Sequence, residues 1–306
     1  MKRLRFVDLA SLVYLGLVAV LLVVVRRRAS EAWPLLLAGH ALAAGGILRI
    51  TRLPRVGALG WLRELYPLPL FVLLYRESAL LNHAVFAHPL DPWFLGAEQR
   101  WFGCQPSLAF AERMPAAWFA ELLYAGYFSF YPMILGMGVW LVAKDRPGAR
   151  RFVGTLSAVF YVCYALFIAF PVVGPRVLET TALDADTVSA LGLAGTAPMP
   201  ASTQAGPFAR SMAFLYAWFE GDGGAFPSSH VIVACLTLRE SFRRRWPVRW
   251  PHAAAVVALC FGTVYGRYHY VVDAIAGLVL AVPLAAGAEW LQRRWDGEPK
   301  PDGDDG

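Results

Sequence analysis

Two short stretches carry the side chains able to do chemistry. They are Gly223-Gly224-Ala225-Phe226-Pro227-Ser228-Ser229-His230 and Arg267-Tyr268-His269-Tyr270-Val271-Val272-Asp273. Between them they hold two imidazoles, a carboxylate, two serine hydroxyls and a guanidinium, a set suited to breaking and remaking a phosphoester bond. In the first stretch, Pro227 is the residue type favoured in an opening helical turn, where its missing N–H has no intrahelical partner. Ser228, Ser229 and His230 are therefore expected in the first turn of a helix that runs on through Val231 to Phe242. Free backbone N–H groups and the positive end of the helix dipole make that position an anion site. The two hydroxyls add donors, and a protonated His230 can hand a proton to a leaving oxygen. In the second stretch, His269 and Asp273 are four residues apart and would share a helix face. A carboxylate on one ring nitrogen sets the tautomer and makes the other nitrogen more basic, able to attack phosphorus. Arg267 beside them can grip phosphate oxygens through two N–H groups, and Gly266 and Gly277 permit close backbone approach.

A solitary histidine near an apolar run is more often structural than catalytic, and His40, His83, His88 and His252 are read that way. Arg76-Glu77, inside an apolar run, is read as an intramembrane ion pair, because charges at such depth need partners. Tyr124, Tyr127 and Tyr131 recur along one helical face and are read as packing first, headgroup contact second. Pro-Ser-Ser-His followed by His-x-x-x-Asp, each opening an apolar run, is far more specific than any of these.

The elements that must position the two stretches are membrane spans. Of the 306 residues, 58% are hydrophobic and 16% charged, against about 25% charged for a soluble domain. The mean hydropathy is +0.48. Apolar runs extend over Leu9–Val25, Ala32–Ile50, Tyr66–Leu81, Ala116–Val142, Phe152–Val173, Val231–Phe242, Ala253–Tyr265 and Val271–Leu291. The fold class expected is all-α: a polytopic membrane helical bundle. Net charge is +6, carried mainly by arginines between the runs, as in loops beside anionic headgroups; no basic face interleaved with aromatics suggests nucleic-acid binding. The triple arginine 26–28 reads as stop-transfer after a first span rather than as a signal-peptide cleavage site. Cys104, Cys163, Cys235 and Cys260 lack C-x-x-C spacing and are read as packing residues, with no metal site or disulfide.

Three regions are expected: an N-terminal transmembrane hairpin at 1–62, a catalytic membrane core at 63–292 with a long loop at 174–227, and a disordered tail at 293–306. Residues 82–115, rich in aromatics and proline, read as an interfacial or re-entrant segment. A short helix is expected near Phe208–Glu220. Arginine clusters at 144–151 and 243–245 put those loops in the cytoplasm. Both motifs then meet at the non-cytoplasmic face of the cell membrane.

The two motifs resemble those of the type 2 phosphatidic acid phosphatase superfamily, and within it the inositolphosphotransferase branch that includes inositol phosphorylceramide synthase. The match is carried by Ser228–His230 and His269–Gly277, with weaker similarity over Asp91–Pro132 and from Arg151 to Arg176. The resemblance implies a six-helix core, here with about two extra N-terminal spans, and metal-independent chemistry without a cofactor. His269 would be the nucleophile forming a phosphohistidine, Asp273 its orienter and His230 the acid/base. The position six residues before the nucleophile, an Arg in better-known members, is Thr263 here, and their upstream Lys…Arg-Pro motif has no clean equivalent. Arg176, then Arg267, stands in as the phosphate-binding cation beside Ser228 and Ser229. These departures favour a transferase that moves a phosphoryl headgroup from a phospholipid donor to a lipid alcohol acceptor. Three alternatives remain open: a phosphatase with water as acceptor, a non-catalytic lipid-binding or transport protein, and a two-histidine-one-carboxylate metal site.

Overall fold

The computed structural model describes residues 4–26, 31–54, 56–82, 84–86, 88–178, 198–219 and 223–297. His83, Arg27 and Arg28, residues 179–197 of the long loop and the tail beyond 297 lie outside them. The helices in chain order are α1 (Phe6–Val25), α2 (Trp33–Ile50), α3 (Gly57–Leu65), α4 (Pro67–Leu81), α5 (Asp91–Phe102), α6 (Pro106–Arg113) and α7 (Ala117–Phe128). They continue with α8 (Phe130–Lys144), α9 (Arg146–Ala169), α10 (Pro175–Leu178), α11 (Pro207–Phe219), α12 (Ser229–Arg243), α13 (Arg249–Tyr265) and α14 (Val271–Asp296). There is no strand among the described residues. Among the described residues, five segments are long and apolar enough to cross a membrane: α1, α2, the α7–α8 pair, α9 and α14. The fold is the expected all-helical polytopic bundle.

α9 is the axis, with α1, α4, α8, α12 and α14 packed along it. In its most apolar window 72% of residues are buried, against 11% in α2, which lies at the periphery against α1. Its start is set by Asp145, whose carboxylate accepts the Gly148 N–H at 2.9 Å, with Pro147 in the first turn. The run expected as one span from Ala116 to Val142 is two helices meeting at Ser129. Pro132 is the reason: it lacks the N–H that would bond the Phe128 carbonyl, and its ring crowds that carbonyl. The interfacial segment folds as α5 and α6; α5 ends at Gly103, whose φ of 65° is the left-handed cap glycine tolerates best. The short loop helix forms as α11. α14 continues to Asp296, so residues 293–296, assigned by composition to the tail, are its last turn.

Arg76 and Glu77 do not pair with each other. Neighbours on a helix point about 100° apart. Glu77 meets His40 Nε2 at 2.7 and 2.8 Å, and His40 Nδ1 meets the Leu15 carbonyl at 2.8 Å, tying together α1, α2 and α4. Arg76 donates instead to the Trp218 carbonyl at 3.1 Å. At one end of the bundle Arg5, Glu64 and Arg150 form a chain of ion pairs of 2.6 and 3.1 Å. There Phe6 N–H also reaches Asp296 at 2.8 Å. The opening turns of α12 and α14 lie at the other end.

Candidate active site

The glycines of the first motif are a geometric requirement. Gly223 and Gly224 have φ of 122° and 83°, and a Cβ on Gly223 would sit 2.4 Å from Asn82 Nδ2. The chain then pairs Ala225 N–H with the Val172 carbonyl at 2.9 Å. α12 begins at Ser229, two residues later than the proline argument implies. Pro227 stands outside the helix and Ser228 is the N-cap, its hydroxyl accepting the Val231 N–H at 3.4 Å. Ser229 and His230 occupy the first turn, buried, as expected. Gly277 of α14 lets this turn come close: a Cβ there would be 2.9 Å from the Ser228 carbonyl.

The second motif is a turn followed by a cap rather than one helix. Tyr268 and His269 both donate their N–H groups to the Thr263 carbonyl at 3.0 Å. α14 starts at Val271, and Asp273 Oδ2 accepts the N–H of the cap residue Tyr270 at 2.9 Å. His269 thus lies before the helix, and its Nδ1 is 3.6 Å from Asp273 Oδ2. Its hydrogen bond, 2.8 Å long, goes to the Ala225 carbonyl. A carbonyl only accepts, so Nδ1 carries the proton and Nε2 carries the ring's lone pair. The His230 and His269 rings lie with centroids 5.7 Å apart. Distant turns of the chain therefore place both imidazoles and the Asp273 carboxylate around one point.

Three tyrosines complete the surroundings. Tyr127, Tyr268 and Tyr216 stack with successive centroids 4.4 Å apart, and Tyr127 also stacks on His230 at 4.7 Å. The Tyr127 hydroxyl lies 3.2 Å from His230 Nε2 and 2.8 Å from the Tyr216 hydroxyl. His230 Nδ1 is buried and has no hydrogen-bond partner among the described residues. The Arg176 guanidinium lies over the outer rings, 4.9 Å from the Tyr216 centroid and 5.2 Å from that of Tyr268. Arg267 is engaged elsewhere. It is 1% exposed and donates to the Leu108 carbonyl at 2.9 Å and to Glu112 at 3.1 Å, clasping α6. Its left-handed φ of 59° turns its carbonyl to accept the Arg176 N–H at 2.7 Å, so Arg267 also places Arg176.

Two buried carboxylates of α5 hold both loops and were not singled out from sequence. Asp91 accepts the N–H groups of Val173 and Gly174 at 2.9 and 2.8 Å and the Tyr270 hydroxyl at 2.8 Å. Glu98 accepts the Ser107 hydroxyl and the Val271 N–H, each at 2.6 Å. Burial pushes both carboxyls above their ordinary range, with these hydrogen bonds opposing the shift. The signal available in sequence was their isolation: single acidic residues in a segment otherwise full of aromatics and proline. Among the described residues, no three His, Cys, Asp or Glu side chains are grouped so as to hold a metal ion.

A PA-phosphatase related-family protein of Dictyostelium discoideum is 26% identical over 135 residues, 44% of this chain and 22% of that protein. The chain thus spans about a fifth of the length of the curated relative. No solved structure matches it. The model of the PAP2 superfamily matches residues 92–286, nearly two thirds of the sequence and the whole of both motifs, and the chain belongs to that superfamily.

Proposed function

We propose that this chain is a membrane lipid phosphotransferase of the inositolphosphotransferase type, working through a phosphohistidine on His269. The observation that carries the reading is the pair of imidazoles 5.7 Å apart at a helix N-terminus, one of them with Nδ1 tied to a carbonyl. In the first step His269 Nε2 attacks phosphorus, the bond from phosphorus to the diacylglycerol oxygen breaks, and His230 gives that oxygen a proton. In the second, an alcohol oxygen attacks phosphorus, the N–P bond breaks and the alcohol's proton returns to His230. Asp273, 3.6 Å from His269 Nδ1, stabilises the positive charge that grows on the ring. Ser229, the first-turn N–H groups of α12 and Arg176 hold the phosphoryl oxygens. Ser228 supports that turn as its cap, and Arg267 acts by placing Arg176. The arginine-rich end of the bundle faces the cytoplasm of the cell membrane and the site the opposite side.

A second reading keeps both steps and makes water the acceptor. The name of the Dictyostelium relative favours it. Purified protein given phospholipid with and without a ceramide-like alcohol separates the two: acceptor-dependent product marks the transferase, and phosphate release regardless of acceptor marks the phosphatase. Under either reading, His269→Ala abolishes turnover and the acid-labile, base-stable phosphoryl adduct; an active His269→Ala protein overturns the mechanism.

A further inference from the structure

A groove leads away from His230. It encloses about 200 Å³ between α4, α8 and α9, and Ser229 and His230 form its inner end. Phe71 and Val72 of α4, Phe130, Ile134 and Leu135 of α8, and Phe160 of α9 give it its character. Two of its hydroxyls are directed to backbone acceptors: Tyr164 donates to the Phe71 carbonyl at 3.0 Å and Tyr75 to the Gly223 carbonyl at 3.3 Å. The Phe130 ring lies 4.3 Å from that of His230, centroid to centroid, so the apolar wall runs up to the reacting group.

The outer lips of the groove are Val72, 42% exposed, and Leu135, 55% exposed, on facing helices of the bundle. Leu135 lies on the α7–α8 pair, which is long and apolar enough to cross a membrane, and an exposed apolar residue there meets hydrocarbon, so the groove opens sideways to acyl chains rather than to water. The α4 wall, residues 68–75, precedes the part matched by the family, which begins at residue 92.

We infer that this groove seats one hydrocarbon chain of the phosphoryl-bearing lipid and selects substrates by that chain. The inference rests on the phosphoryl-transfer reading of the histidines and names the part of the substrate that sequence left open. Three observations commit the groove to the substrate's own chain: its walls are apolar, it opens laterally, and it ends on His230 and Ser229. A lipid entering this way keeps its chain in an apolar medium throughout, and only the phosphate moves towards the helix N-terminus. Closing the groove should then penalise long-chain substrates and spare those too short to use it.

The test compares wild type with Val72→Trp and Leu135→Trp, both at exposed positions where a larger side chain is accommodated. Phosphatidic acid with long acyl chains is assayed against the dihexanoyl form, in detergent with a ceramide-like alcohol present as acceptor. The expected result is a KM for the long-chain lipid raised about tenfold, the cost of displacing roughly two methylenes from an apolar wall, with kcat/KM for the dihexanoyl lipid unchanged. Unchanged long-chain kinetics, or an equal loss on both lipids, overturns the inference. A second measurement does not depend on turnover. A long-chain alkyl phosphate with a terminal diazirine should label residues 68–75 and 130–135, with the labelling displaced by long-chain phosphatidic acid but not by the dephosphorylated lipid. Labelling elsewhere, or equal displacement by both, overturns the groove assignment. A wild-type protein that labels there yet turns over neither lipid leaves the groove standing and removes the phosphotransferase reading instead.

Discussion

α7 and α13 pass backbone against backbone, and this is the place where a single methyl group should show how the site is held. A Cβ built on Gly262 lies 2.5 Å from the Leu123 carbonyl oxygen and 3.4 Å from Tyr127 Cβ; one on Gly126 lies 2.5 Å from Ala258 Cβ. Without a hydrophobic drive between helices in lipid, such small residues let backbones pack closely enough to associate. Ordinary contact begins near 3.4 Å, so Gly262→Ala must part the helices by about 0.9 Å, since the obstacle is backbone. Both sides of that contact lead into the site. Tyr127 on α7 holds His230 Nε2 at 3.2 Å, and the Thr263 carbonyl on α13 fixes the Tyr268 and His269 N–H groups at 3.0 Å. Overpacking costs about 1–3 kcal/mol, offset by about 1 kcal/mol of helix propensity gained over glycine, so the net loss of stability is at most about 2 kcal/mol. The effect on turnover should be larger, up to about a hundredfold, because a displacement near 1 Å in a catalytic group is costly. Thermal melts and kcat/KM on phosphatidic acid, compared with Gly45→Ala where nothing lies within 4 Å, measure both. Full activity in Gly262→Ala, or an equal loss in Gly45→Ala, refutes the reasoning.

Asp273→Asn keeps an oxygen for the Tyr270 N–H and should leave the melt nearly unchanged, while removing the negative charge beside His269. A fall of about a hundredfold in kcat is expected, and steady-state turnover at wild-type rate would count against the role given to Asp273. Asp91→Ala strips acceptors from the Val173 and Gly174 N–H groups and the Tyr270 hydroxyl; at about 1 kcal/mol or more for each stranded donor, it should cost roughly 3 kcal/mol, read as a lowered melting temperature. For Glu98 the folded-state pKa is raised by burial, so the folded protein holds its proton to higher pH than the unfolded chain does. That contribution is fully present below the ordinary carboxylate value of about 4 and is lost as pH rises through the raised folded value. Glu98→Gln should flatten that part of the melting-temperature profile; an identical slope in both proteins contradicts the assignment.

Some of the site was legible because its signals are local. The serine and histidine in the first turn of α12, Ser229 and His230, and the carboxylate in the first turn of α14 each follow from residue type beside an apolar run. The bundle was legible for the same reason, since a run of apolar residues states its own need to be buried or in lipid. The placement of Pro227 and the break at Ser129 differed from expectation by two residues and by one helix joint. In both, the local pattern allowed either outcome, and the neighbouring proline or cap chose between them.

Partnership was not legible. The His269 ring is aligned by the carbonyl of Ala225, 44 positions earlier, rather than by the neighbouring carboxylate alone. Glu77 chose His40 over the adjacent Arg76, and Arg267 clasps Glu112 while its carbonyl places Arg176. Asp91 and Glu98, unremarkable in sequence, pin the loops on which both histidines depend. From residue order alone came the helices, the end of each helix that carries chemistry and the types of group available there. Only the folded chain decided which group meets which, because in apolar surroundings every polar atom must find an acceptor or donor within about 3 Å, and whatever stands that close is set by helices packed from far apart in the chain.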